Sequence, residues 1–479
     1  MEGKGYLRKF IKMLQVYGFS YTVKKTSTRI KRILKRFFGY EQDYEKWRLK
    51  RMPLKQELEE QKKRVFTENI LFSIVVPLYK TESMYLEALI NSIKAQTYSN
   101  WELCLSDGSG PDSPLKEQLE LLKKDKRIKV VDAKKRLHIS ENTNEALKIA
   151  KGDFIVFVDH DDLLSPDALF ECAKAYEEDP RIEIIYSDED KISMDGKSFF
   201  QPHFKSDFNI DLLRSMNYIS HLSVIKRNLL HQVGYLNEAF DGAQDYDLIL
   251  RCVEKTNHIY HIPKVLYHWR AHINSTAEKP ESKAYAFQAG AKAIQAHYRR
   301  LGIKATVQQG EYPGLYQTKY EITGEPFISI IIPNKDHIED LDQCLASIET
   351  RSTYKNYEYI IVENNSTEES TFQYYEQLKR RNKKVRVINY HGEFNYSSIN
   401  NFGASHAKGE YYLLLNNDTE MINDDCIEEL LGVCQREDVG IVGARLYYED
   451  DTIQHAGVIV GLGGVAGHTF VGYGKEENG

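Results

Sequence analysis

The chain has 479 residues, 42% hydrophobic and 28% charged, with 29 glycines and 12 prolines; that is enough for about three domains with large cores and excludes a collagenous or low-complexity class. Its six cysteines form no Cys-x-x-Cys pair, which excludes a disulfide framework or zinc knuckle and reads as the reduced thiols of a cytoplasmic protein. The net charge of −6 is uneven: residues 1–40 hold eleven Lys or Arg and one acid, leaving −16 on the remainder, and so acidic a body disfavours a nucleic-acid polymer as the main partner.

The basic start lacks the long apolar stretch of a secretory signal, and runs such as LFSIVV (71–76) are far shorter than the ~20 residues of a membrane span. In TRIKRILKRFFGY the apolar positions 30, 33, 34, 37 and 38 share one helical face. A basic amphipathic helix there reads as a peripheral anchor on the cytoplasmic face of the plasma membrane, against a helix that packs on the body with its lysines solvated. Residues 41–68 are highly charged, their second half looks helical, and a basic helical segment is set at 1–65.

From residue 66 strands and helices alternate. SIVVPLY is a β-rich run with Pro77 near its end. Tyr85, Leu86, Leu89 and Ile93 give helical spacing over 84–95. WELCLSD is a second strand, 141–150 a helix and DFIVFVD a third strand. Apolar strands between helices argue for a parallel sheet covered on both faces, with ligands beyond the carboxyl strand ends. Those ends carry Tyr79, Asp107 and the cluster Asp159, Asp161 and Asp162. Asp-x-Asp leaving a strand puts two carboxylates on one side, suited to Mn²⁺ or Mg²⁺ beside phosphate oxygens; the same acids would also suit a turn before a helix capped by Ser165. Asp107 could accept from a nucleobase imide or simply make the turn before Gly108. Tyr79 could stack on the base.

Farther on, DGAQDYDLILRC (241–252) turns from polar to helical spacing and puts Asp245 at a helix start, where it could serve as a general base or as a cap. In HIPKVLYHWRAH (261–272), His268 or His272 could supply a metal ligand and Arg270 a phosphate contact, against the commoner structural roles of such residues. Residues 303–326, with Gly310, Pro313, Gly314 and Gly324, read as a linker.

The stretch 327–479 repeats the first unit: 329–366 resembles 73–109, and GEYYLLLNNDT (409–419) resembles GDFIVFVDHDD (152–162). Asn416, Asn417 and Asp418 stand where Asp159, His160 and Asp161 stood, and Glu363 and Asn364 where Ser106 and Asp107 stood. The counterparts of Asp245 and His268 would fall past residue 479, so the second unit is expected to be cut short, or to bind without catalysing, unless Asp450 or Asp451 substitutes. GVIVGLGGVAG (457–467) approximates a dinucleotide fingerprint but leaves no room for the helix and acid that such a site needs, and reads as a turn or hairpin.

Taken together, SIVVPLY, SDGS, VDHDD, YSDEDK (186–191), GAQDYDL and YHWR resemble a family 2 glycosyltransferase with two GT-A-type α/β domains in tandem, over about 66–302 and, less completely, 327–479. Bacterial rhamnosyltransferases and other enzymes of surface polysaccharide carry similar strings. The resemblance implies inverting transfer from a UDP- or dTDP-sugar to a lipid-linked or growing oligosaccharide. It implies that Tyr79 and Asp107 hold the donor's base, that Pro77 and Arg270 lie on the donor side, and that Asp159 contacts ribose or metal. Asp161 and His268 would ligate the metal and Asp245 would be the base. Asp188, Glu189 and Asp190 would lie near the acceptor. In the second unit Glu363, Asn416 and Asp418 would keep donor or metal contacts. A non-catalytic sugar-nucleotide-binding scaffold is the alternative. A sugar nucleotidyltransferase would want a glycine- and Arg/Lys-rich loop after the first strand, and VVPLYKTES has no glycine.

Overall fold

The computed structural model describes residues 40–271, 280–462 and 464–475, without the side chains of 40–43 and 280–283. The basic arm lies outside the described residues, except for the start of a helix at Tyr40–Leu49. The chain divides into two compact units, 1–318 and 319–479.

The first unit is built on a nine-stranded sheet. Its strands are β1 (Phe72–Leu78), β2 (Trp101–Asp107), β3 (Ile128–Asp132), β4 (Phe154–Phe157), β5 (Leu163–Leu164), β6 (Ile184–Ile192), β7 (Phe199–His203), β8 (Ser223–Lys226) and β9 (Ile259–Arg270). The order is β3-β2-β1-β4-β8-β6-β9-β5, with β7 on β6. The half formed by β1 to β4 is parallel, as the alternation of strands and helices requires. Beyond β4 the sheet is mixed: β8 runs antiparallel to both β4 and β6, while β6 and β9 are parallel.

Side chains alternate along β1, so one strand feeds two cores. Phe72, Ile74, Val76 and Leu78 pack with the helices Ser83–Lys94 and Ala168–Glu178. Val75 joins Cys104, Ile155 and Leu248 on the other face. Each such side chain, fully buried, contributes roughly 1.5–3 kcal/mol of transfer free energy.

The N-terminal ends of β1, β2 and β4 are tied by a polar knot. Ser73 Oγ donates to Glu102 Oε1 at 2.7 Å, Lys129 Nζ pairs with Glu102 Oε2 at 2.5 Å, and the Gly152 N–H donates to Ser73 Oγ at 2.7 Å. A Cβ at Gly152 would lie 2.6 Å from backbone atoms of Leu71 and Ser73, so only glycine fits.

Both halves of 41–68 are helical, not the second alone: Tyr40–Leu49 precedes Lys55–Gln61. The first helix is held by aromatic contacts, with the Trp47 ring 4.8 Å from Phe204 and the Arg48 guanidinium 3.7 Å over Phe199. Its charge hides this face from a periodicity search. Residues 303–326, expected as a linker, contain the paired strands β10 (Ala305–Gln309) and β11 (Tyr316–Tyr320).

The second unit has a parallel sheet, β14 (Val385–Asn389), β13 (Tyr357–Glu363), β12 (Ile328–Asn334) and β15 (Tyr411–Leu414) in that order. It rebuilds the knot with Ser329, Glu358, Arg386 and Gly409. Register corrects one alignment. Leu78 pairs with Asp107 and Asn334 with Glu363, so Glu363 is the counterpart of Asp107, not of Ser106. The 457–467 segment is a hairpin, Val458–Val460 against Ala466–His468.

Candidate active site

Parallel register brings the carboxyl ends of β1, β2 and β4 side by side. Asp107 ends β2, is 4% exposed, and accepts the Ser109 N–H at 3.0 Å. Pro77 lies within β1, opposite Ser106. Tyr79 follows β1 with its ring half-exposed, 46%. Lys80 takes a left-handed φ of 47° and donates its N–H to Ser109 Oγ at 2.8 Å, which locks the two strand ends together. A Cβ at Gly108 would meet the Asn142 amide at 2.8 Å and push it from the Leu78 carbonyl to which it donates.

After β4 the acidic cluster divides by role. Asp162 is buried and accepts from Tyr267 OH at 2.5 Å and from the Arg270 N–H at 2.7 Å. Burial, with the charges of Asp159 and Asp161, pushes its carboxyl well above the usual range. It is a strut. Asp159 faces the site, its side chain 46% exposed, with Oδ2 3.4 Å from His221 Nε2. The Asp161 side chain is 17% exposed.

His221 has no signature in the sequence, because NYISHL is neither periodic nor a motif. Its ring stacks on Tyr267 at 4.6 Å and 10°. Burial pulls its pKa down, but Asp159, with Asp162 and Glu189, outweighs this and the imidazole is pushed up to about 9. In return, burial of Asp159 is overcome by the His221 charge, and its carboxyl falls below the usual range. Solvent at the half-exposed Asp159 screens part of that attraction.

Asp245 stands in the first turn of the helix Gln244–Val253, and Asn217 Nδ2 donates to its Oδ2 at 2.8 Å. Burial raises its carboxyl above the usual range, against the nearby His221 charge and the Asn217 hydrogen bond. The structure therefore gathers Asp159, His221, Asn217 and Asp245 into one electrostatic neighbourhood.

Several expected contacts are otherwise engaged. His268 has both ring nitrogens in hydrogen bonds, Nδ1 to Asp190 Oδ1 at 2.5 Å and Nε2 to Ser165 Oγ at 3.0 Å, and is 8% exposed. Both nitrogens thus meet protein partners, at the position where the resemblance implied a metal ligand. Arg270 binds the carbonyls of Asp161, Ser193 and Met194, shaping the loop rather than presenting its fork outward. Asp188 accepts from Lys205 N and pairs with His261, and Asp190 is shared by His268 and Tyr44 OH. Of the three acids on β6, Glu189 is the one that faces His221, accepting its N–H at 3.3 Å.

Among the described residues no three His, Cys, Asp or Glu side chains are placed to hold a metal together. Asp159 and Asp161 supply hard oxygen donors without a third protein ligand. That donor set suits Mn²⁺ or Mg²⁺ held jointly with phosphate oxygens rather than a site built of protein alone.

In the second unit Glu363 is fully occupied: the Ser366 N–H and Oγ donate to its two oxygens at 2.5 and 2.6 Å, and Tyr375 OH donates at 2.8 Å. Asn416 and Asp418 are exposed after β15. Asp450 closes a local turn with Thr452.

The family model for Glycosyl transferase family 2 matches residues 73–234 and 329–459, one stretch in each unit. The chain belongs to glycosyl transferase family 2. Two similar proteins are an uncharacterized protein, y4gI, of Sinorhizobium fredii, 42% identical over 92% of this chain and 49% of its own length, and the O-antigen biosynthesis protein RfbC of Myxococcus xanthus, 36% identical over 89% and 33%. The chain thus spans about half of the first and a third of the second. Among solved structures, S. aureus TarS 1–349 in complex with UDP-GlcNAc aligns at 20% identity and TM-score 0.37 over 48% of this chain and 73% of that one. The mannosyltransferase PcManGT of Pyrobaculum calidifontis, in complex with GDP-Man and Mn²⁺, aligns at 18% and 0.36 over 51% and 70%.

Proposed function

We propose that the first unit of this family 2 protein is an inverting glycosyltransferase, moving a sugar from a UDP- or dTDP-sugar to a hydroxyl of a lipid-linked or growing surface polysaccharide. The carrying observation is Asp245, fixed at a helix start and within electrostatic reach of Asp159 and His221 at the end of β4. Tyr79 and Asp107, at adjacent strand ends, form the side on which a base would lie. The acceptor hydroxyl gives its proton to Asp245, its oxygen bonds to the anomeric carbon, and the bond from that carbon to the diphosphate oxygen breaks. One displacement inverts the centre and needs no enzyme nucleophile. A carboxylate raised by burial is a stronger base than a solvated one. Asp159 and Asp161 would hold Mn²⁺ or Mg²⁺, which when bound offsets the negative charge of the leaving diphosphate. His221 stands beside Asp159 on the same side, with Nε2 3.4 Å from Asp159 Oδ2.

Asp245→Asn is expected to lower transfer by roughly 10²–10⁴-fold while leaving donor binding intact, and near wild-type turnover in the folded variant overturns the reading. Calorimetry with UDP- and dTDP-sugars, in Mn²⁺ and in EDTA, identifies the nucleotide. The relative named for O-antigen biosynthesis supports a polysaccharide acceptor, and the charge of residues 1–40 supports a site at the membrane surface.

A further inference from the structure

We propose that Asn217 is the positioning residue of the base, and that the segment Asn217–His221 is a brace that fixes Asp245 and Asp159 relative to each other. The inference rests on the reading of Asp245 given above. A carboxylate only accepts, so the group facing Asp245 Oδ2 at 2.8 Å must be the Asn217 amide N–H. Four residues later, His221 Nε2 faces Asp159 Oδ2 at 3.4 Å. One short loop thus touches the proton acceptor at one end and the donor-side carboxylate at the other.

The loop itself is pinned from below. The Lys205 side chain is fully buried (0% exposed), and its ammonium donates to the carbonyls of Ile219, at 2.7 Å, and His221. Its third partner is Glu189 Oε2 at 3.3 Å, the same oxygen that receives the His221 N–H. Three donors meet three acceptors and the buried charge is paired, so removing either partner would leave an uncompensated buried charge. Tyr218 is 1% exposed and its hydroxyl accepts the Asn209 N–H at 2.9 Å. Glu189 and Lys205 therefore act on the site through the brace. Without the Asn217 hydrogen bond the Asp245 carboxylate keeps the Tyr246 N–H but loses the contact that sets its outer oxygen toward the acceptor hydroxyl.

The test compares Asn217→Ala and the isosteric Asn217→Asp with Asp245→Asn in the full chain. Donor affinity is measured by calorimetry, acceptor KM and kcat by transfer, and folding by thermal melting. Both Asn217 variants are expected to lose about tenfold or more in kcat, the worth of a hydrogen bond to a charged group. Asn217→Asp should lose at least as much as Asn217→Ala, because it sets one acceptor against another. Donor affinity and acceptor KM should stay within about twofold. If Asn217→Asp folds and keeps wild-type kcat while Asp245→Asn is inactive, the positioning role is overturned and the base stands. Loss of donor affinity in step with kcat also overturns it, since that marks general damage to the site. If Asp245→Asn itself turns over normally, the base assignment is what fails.

Discussion

At the scale of single residues, hydrogen-bond partners decide role more firmly than residue type. Asp159 and Asp162 lie three positions apart in one acidic cluster, yet the first faces solvent and His221 while the second is sealed against Tyr267 and Arg270. His268 gives the sharper case. Its buried pair with Asp190 predicts that His268→Ala destabilises the fold, because the Asp190 carboxylate loses a partner; the cost is about 1–3 kcal/mol. Chemical denaturation measures that loss. Mn²⁺ affinity in the presence of donor, measured on the same variant, is expected to stay unchanged, and a clear weakening would restore His268 as a ligand.

At the scale of elements, the helix Pro280–Leu301 docks on the helix Gln244–Val253 through a buried polar contact. His297 Nδ1 pairs with Glu254 Oε1 at 2.7 Å, and its Nε2 accepts from Arg214 Nε at 3.3 Å. That geometry requires a neutral ring, and burial, helped by Arg214, holds its pKa below the ordinary 6.5. The unfolded chain therefore binds a proton that the folded one refuses, and this contribution is present above pH 6.5 and lost as pH falls below it. Glu254 adds the same sign: burial alone would raise it, but His297 and Arg300 bring it below its ordinary value. The expected outcome is a melting temperature that declines on acidification from pH 7 to 5, with a shallower decline in His297→Gln. Equal slopes in the two proteins would discount the contact. The polar knot is also an element-scale feature, and its recurrence in both units explains why Gly152 and Gly409 hold equivalent places.

At the scale of the whole molecule, charge is divided between an arm of +10 and a remainder of −16. Attraction of a basic segment to anionic lipid is worth about 1 kcal/mol per nearby Lys or Arg, so the arm should dominate at a membrane even though the remainder is repelled. Flotation with phosphatidylserine vesicles is expected to carry the full chain upward at low salt, and deletion of residues 1–40 to abolish this; an unaltered distribution on deletion would refute the anchor. Among the described residues no helix is long and apolar enough to cross a membrane.

The local pattern was legible in the sequence alone. Continuous apolar runs and period-3.6 spacing placed β1, β2, β4 and their helices, the repeat declared two units, and the strand-end carboxylates marked the candidate site. These features are local because burial periodicity is written into neighbouring residues. Tertiary structure alone decided which polar groups meet. Asn217 and His221 sit in a loop without periodicity, 28 and 62 residues from the carboxylates they hold. The one-residue shift that makes Glu363 the partner of Asn334 is fixed by strand register. Sequence spacing limits which side chains could approach one another, but strand order and loop path determine which of them share a hydrogen bond.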